Sequence, residues 1–236
     1  PGQAGLIYVR TRRTAEELTQ CVQPKGFSVA AYHAGLISEE RRRIEAELIE
    51  GRWQFVVCTS AFGMGINHPH VRWVCHFHAP STLSEYVQEI GRGGRDGKPA
   101  DALTLVSEPT GWLDSEDKQR WQFFAKSEQK LQQEAKRLVK SLPTTGNIDE
   151  VLQRNSKAAT ALALLHSQGQ LSWEDPFNYR LQVEQTSKPG GTSNSVKGIK
   201  QYLFSRNSRW QKLLVQFGCE AEAQNMKCGH CDNCRH

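Results

Sequence analysis

Short apolar runs alternate with amphipathic stretches over the first hundred residues of the chain. Residues 5–9, 28–32, 54–58, 72–77 and 102–106 have the length and apolar content of buried strands. Residues 14–22, 38–49 and 84–90 read as helices between them, with Ser38 placed to cap the second. This alternation predicts an α/β domain, a mostly parallel sheet with helices on both faces. Function in such sheets sits in loops at the carboxyl ends of strands, and the motifs below are expected there.

After Pro109 the pattern changes. Residues 116–142 read as one polar helix, with Leu131, Ala135, Leu138 and Leu142 on one stripe and Pro143 as its stop. Two shorter helices follow at 148–152 and 157–166, then apolar runs at 169–173 and 179–183 that flank a turn as a hairpin. Three helices and a hairpin are the outline of a winged helix; a plain helical spacer is the other reading. Residues 186–195 are rich in Ser, Thr, Gly and Pro and read as a linker. A last helical stretch, 196–217, precedes a cysteine-rich tail. The expected division is 1–112, 113–195 and 196–236.

Composition narrows the classes. With 38% hydrophobic and 23% charged residues, a packed core is feasible. The formal net charge of +5 suits nucleic acid, though many ordinary enzymes share it. No run approaches the ~20 apolar residues that span a bilayer, and no secretory leader precedes the first strand. Beginning at Pro1, the chain reads as an excised piece of an intracellular protein, cytoplasmic or in the nucleoid or nucleus, with no membrane partner. Of seven cysteines, Cys21, Cys58 and Cys75 are scattered, whereas Cys219, Cys228, Cys231 and Cys234 crowd the end. That distribution fits one metal site in a reducing compartment better than a disulfide framework.

The segment Gln88-Glu89-Ile90-Gly91-Arg92-Gly93-Gly94-Arg95-Asp96-Gly97 places two arginines in a glycine-rich turn after a helix. Arginine keeps its charge, and its planar fork matches phosphate oxygens. Spaced three apart, both could face one anion if the turn is helical. The bland alternative is a solvated surface loop.

This segment resembles the sixth motif of superfamily 2 helicases, and its Gln-Glu start resembles the RecQ family. Thr59-Ser60-Ala61-Phe62-Gly63-Met64-Gly65-Ile66-Asn67 is similar to the RecQ fifth motif. Leu6-Ile7-Tyr8-Val9 with Thr11-Arg12 resembles the fourth, and Tyr32-His33-Ala34-Gly35-Leu36 a block between them. The resemblance implies a RecA-like motor domain of an ATP-dependent DNA helicase that moves 3′ to 5′ and serves repair or recombination. It implies that Arg95 is an arginine finger toward the γ-phosphate, with Arg92 coupling nucleotide to the domain interface. Gly65, Asn67 and Gln88 would approach the nucleotide, although many relatives carry Asp where Asn67 stands. His33, Ala34, Thr59 and Ser60 would contact the DNA backbone at a single-strand/duplex junction. The chain has no Gly-x-x-x-x-Gly-Lys-Ser/Thr and no Asp-Glu-x-His box. ATP and Mg2+ would therefore need a further, N-terminal motor domain, and this stretch alone is expected to be inactive.

Cys228-Gly229-His230-Cys231-Asp232-Asn233-Cys234 has thiols at C-x2-C-x2-C spacing, open to zinc, an iron–sulfur cluster or free thiols. Its similarity to the RecQ zinc module implies structural Zn2+. The family places a first cysteine just before an Arg- and Leu-rich stretch ending in Phe-Gly. Here that stretch is 209–218 and the residue before it is Ser208, a poor zinc ligand. Cys219 is the expected substitute, with His230 and His236 behind it. Two rivals remain: an RNA helicase of the same superfamily, which would lack the cysteine cluster, and a non-enzymatic DNA-binding scaffold with a degenerate motor domain, against which both arginines argue.

Overall fold

The computed structural model describes residues 3–62, 70–107, 115–155, 158–182 and 196–235. The chain divides into two compact units, Pro1–Gln119 and Arg120–His236.

In the first unit, β1 (Ala4–Tyr8), β2 (Val29–Tyr32), β3 (Phe55–Cys58), β4 (Val71–His76) and β5 (Asp101–Thr104) form one sheet in the order β2-β3-β1-β4-β5. Every pairing in it is parallel. Helices α1 (Arg12–Val22), α2 (Ser38–Ile49) and α3 (Leu83–Ile90) lie between strands, as the periodicity predicts. Successive strand side chains face opposite sides, so the central strands feed two cores. Leu6, Tyr8, Val56 and Cys58 pack with Ile44 and Leu48 of α2. Val9, Val57 and Phe55 pack with Ala15, Leu18 and Val22 of α1. A fully buried Leu or Val contributes about 1.5–3 kcal/mol, so this double coverage explains why β1 and β3 hold the centre.

Two local expectations change. Ser38 does not cap α2: it is the first helical residue after Ile37, and its hydroxyl accepts from Arg41 Nη2 instead. The true side-chain caps are Thr11 on α1 and Thr82 on α3, each accepting a backbone N–H three residues on.

Gly5 has no room for a side chain. A Cβ there would lie 1.9–2.4 Å from carbons of the Trp73 indole, which itself packs on Phe55 at 5.5 Å between ring centroids. Gly5→Ala is expected to lower stability by roughly 1–3 kcal/mol through overpacking, read as a fall in the urea midpoint at unchanged m-value. An unchanged midpoint would mean that the indole swings away freely.

In the second unit, the long helix α4 (Glu116–Ser141), in which the division between the units falls, leads to β6 (Thr145–Asn147), α5 (Ile148–Arg154), α6 (Ala158–Ser167), β7 (Leu171–Trp173) and β8 (Asn178–Leu181). The strands form an antiparallel sheet in the order β6-β8-β7. Ala135 and Leu138 of α4, Val151, Leu162, Leu165, Leu171, Tyr179 and Leu181 share one core. Helix, short strand, two helices and a hairpin pairing with that strand is the topology of a winged helix. β6 escapes the sequence reading because Thr145-Gly146-Asn147 has no apolar pattern; Gly146 is needed where the buried Tyr179 phenol crosses it, its oxygen 2.7 Å from where a Cβ would be. The terminal helical stretch is two helices, α7 (Val196–Leu203) and α8 (Arg209–Gln216), followed by the short α9 (Glu220–Ala223). The break at Ser205–Ser208 is where the polar run Ser-Arg-Asn-Ser supplies its own hydrogen bonds, Asn207 N–H donating to Ser205 Oγ.

Candidate functional site

The sheet aims three of the four motifs at one edge. His33 and Ala34 follow β2, Thr59 and Ser60 follow β3, and Arg10 to Arg12 follow β1, all at carboxyl ends. The fourth departs from the expectation. Gly94 N–H donates to Val71 O at the start of β4, so the 91–97 turn packs against the amino end of that strand. A parallel sheet requires this, because the chain must return to the amino end before β5 begins.

That turn is tightly held. Arg72 Nη2 lies 2.7 Å from both Asp96 carboxylate oxygens, and its Nη1 donates to Pro99 O. The Arg72 guanidinium holds the Asp96 carboxyl below its ordinary range. Gly94 has φ +67, and a Cβ there would meet Lys98 O at 2.7 Å. This left-handed residue lies between the two arginines. Arg95 is exposed, with Nε donating to Gly91 O at 3.1 Å. Arg92 is half-buried and hydrogen-bonds the Tyr8 phenol. Burial pushes that phenol up, and Arg92 only partly opposes it. Gln88 is exposed on the last turn of α3.

At the carboxyl ends of β1 and β4 lies a polar network that the sequence reading missed. Arg10 reaches Glu85 Oε1 at 2.5 Å and Glu89 Oε2 at 2.8 Å, with its side chain 10% exposed. Glu89 also faces His76 Nε2 at 2.9 Å, and His76 Nδ1 pairs with Thr104 Oγ1. The end of β1, the end of β4 and the last turn of α3 are thereby joined through one carboxylate. The available signal was Glu89 itself, an acid inside the apolar stripe of α3.

His33 is buried and hydrogen-bonded within its own neighbourhood. Its Nδ1 accepts from Gly35 N–H, which leaves Nε2 to donate to Glu16 Oε1 at 3.0 Å. The ring shapes its own loop, leaving exposed Ala34 at the surface. Thr59 Oγ1 accepts weakly from Ala61 N–H, and Ser60 is exposed. Gly65 and Asn67 lie outside the described residues.

In the winged helix, the charge distribution is uneven. α6 exposes Ala159, Thr160, Ala163, His166 and Ser167, with no cation among them, and the wing carries Glu174 and Asp175. Arg180 is paired with Glu174 at 2.5 Å. α4, by contrast, exposes a row of five cations, Lys126, Lys130, Lys136, Arg137 and Lys140.

The thiols of Cys228, Cys231 and Cys234 lie within 4.8 Å of one another, with 3.9 Å between Cys228 and Cys234 Sγ. Bonds of ~2.3 Å to one tetrahedral ion set sulfurs about 3.8 Å apart, so these three fit zinc. Desolvation works against ionising Cys228, but the Ser208 hydroxyl and the His230 and Cys231 N–H groups outweigh it and bring the thiol down to about 6. Arg209 anchors the surrounding turn: its guanidinium pairs with Asp232, and its backbone N–H donates to Cys231 Sγ at 3.4 Å. Cys219 is not brought into the group; it precedes α9, its N–H bonded to Leu214 O. His236 lies outside the described residues. No described helix is long and apolar enough to cross a membrane.

Residues 1–97 match the helicase conserved C-terminal domain. The chain is similar to RecQ helicases. It is 45% identical over 98% of its length to the ATP-dependent DNA helicase RecQ of Synechocystis, covering 49% of that protein. It is 44% identical over 48% of its length to RecQ of Haemophilus influenzae, covering 18% of it. The first of these alignments runs through the winged helix and the cysteines. The chain thus spans about half or less of these curated relatives. Among solved structures, the Escherichia coli DEAD-box protein SrmB, bound to regulator of ribonuclease activity A, is 28% identical over 48% of this chain and 66% of that one, with a TM-score of 0.44.

Proposed function

We propose that this chain forms the second motor domain, a winged helix and a zinc module of an ATP-dependent DNA helicase. The intact enzyme would move 3′ to 5′ on DNA, in repair or recombination, inside the cell. The observation that carries this reading is the 91–97 turn: an exposed arginine on a glycine loop that an Arg72–Asp96 pair holds against β4. ATP and Mg2+ would bind between this domain and another motor domain of the same protein. Arg95 would then reach the γ-phosphate, where a fixed cation stabilises transition-state charge. Arg92, engaged with Tyr8 at the end of β1, would transmit nucleotide state to the strand ends. Gly65, Asn67 and Gln88 would border the nucleotide. Thr59, Ser60 and Ala34, with backbone N–H groups of their loops, would touch DNA phosphates without reading sequence. His33 would hold its loop in shape for that contact. The three functional parts would be 1–112, 113–195 and 196–236.

The test is ATP turnover and unwinding by the full-length protein with and without single-stranded DNA. Turnover stimulated by the strand, and unwinding only of substrates with a 3′ overhang, are expected; this chain alone should hydrolyse nothing. DNA-independent turnover, or hydrolysis by this chain, would overturn the reading.

The cation row on α4 supplies a duplex contact for the winged helix. Reversing Lys126, Lys130 and Arg137 to Glu in the full-length protein should weaken duplex binding by at least about tenfold and reduce its salt dependence by roughly three phosphate contacts. Unchanged affinity and salt slope would make α4 a spacer.

A further inference from the structure

The three thiols leave one corner of the metal site to be assigned. Ser208, not Cys219, stands there. Its side chain is 6% exposed, in the polar break before α8, and as the residue preceding that helix it makes no capping bond to it. Its oxygen instead accepts from Cys228 N–H at 3.3 Å, and its hydroxyl also engages the Cys228 and Cys234 thiols. The next residue, Arg209, gives its N–H to the third thiol, Cys231. Two adjacent residues at the start of α8 thus turn toward all three sulfurs. Cys219 follows α8, eleven positions on, outside the cluster. A polar cavity of about 400 Å³ opens on the same corner, lined by Ser208, Cys234, Asn207, Asn233, Arg206 and Lys227.

We propose that the metal site is built from three thiolates and one oxygen, with Ser208 at the fourth corner, and that this corner opens to the cavity. This rests on the zinc reading above and refines it. A hard, neutral hydroxyl holds zinc less firmly than a thiolate does. The cavity admits a competing ligand at that weak corner. The metal should therefore exchange with an external chelator more readily than from a closed four-thiolate site. Such a site can give up its ion while its three thiolates stay in place.

Cobalt substitution in the whole chain tests this, because sulfur-to-cobalt charge-transfer absorption grows with the number of thiolates bound. The wild-type chain should take up one cobalt with a three-sulfur spectrum. Cys219→Ser should leave that spectrum and the bound metal unchanged. Ser208→Cys should raise the charge-transfer intensity by about a third and slow zinc transfer to a chromophoric chelator by about tenfold or more. Circular dichroism of each variant checks that it is folded, and if Ser208→Cys does not fold, Ser208→Ala decides: weaker cobalt uptake is expected, and unchanged uptake overturns the proposal. A four-sulfur wild-type spectrum that falls on Cys219→Ser overturns the proposal and leaves the zinc reading standing. A folded Ser208→Cys with unchanged absorption and release also overturns it. A wild-type chain that binds neither cobalt nor zinc overturns both.

Discussion

Arg95→Ala in the full-length enzyme is expected to cut DNA-stimulated ATP turnover by about 10³-fold or more while leaving nucleotide affinity nearly unchanged. Arg95 is exposed at the end of the glycine turn, where its Nε donates to Gly91 O. A group placed this way acts on charge that develops in the transition state, so its loss falls on kcat rather than on binding. Arg95→Lys should recover little, because a point charge on a flexible stem does not reproduce a planar fork. Steady-state kcat alongside a nucleotide Kd separates the two effects. Turnover within a factor of two of wild type would remove Arg95 from the reaction.

Glu89→Ala should destabilise the first unit by about 3–5 kcal/mol, the usual cost of stranding a buried charge. The carboxylate is 6% exposed and meets Arg10, which is 10% exposed, and His76, which is fully buried. Removing it leaves Arg10 with Glu85 as its one carboxylate partner among the described residues, and strips His76 of its one carboxylate contact among them. Urea unfolding of this chain reads the loss directly. A loss under about 1 kcal/mol would mean that Glu85 alone neutralises Arg10. Because Glu89 sits two residues before the glycine turn, the variant should also loosen that turn in hydrogen exchange, whereas the α2 amides should keep their relative protection.

The strands and helices of the first unit were legible because two-sided burial writes itself into local composition. Leu6 and Tyr8 feed one core and Ile7 and Val9 the other, so β1 reads as apolar at every position. The hairpin and the three helices of the winged helix were legible from one-sided apolar patterns instead, as in the stripe of Ala135 and Leu138 on α4. β6 was not, since Thr145-Gly146-Asn147 is selected by the Tyr179 phenol crossing it rather than by any apolar pattern. Ser38 misled because its hydroxyl has two local uses, and Arg41 takes it.

The chemistry divides along the same line. Motif order, two arginines at fixed spacing and three thiols at C-x2-C-x2-C spacing are properties of the chain alone, since each is set by residues close in sequence. Which residue joins them is not. Glu89 gathers Arg10 and His76 from positions 79 and 13 residues away in the chain, and Ser208 meets Cys228 across 20 residues. Local spacing determined which groups could act together; the parallel crossover and the break before α8 decided which ones meet, because only closure of the fold brings distant backbone within hydrogen-bond reach.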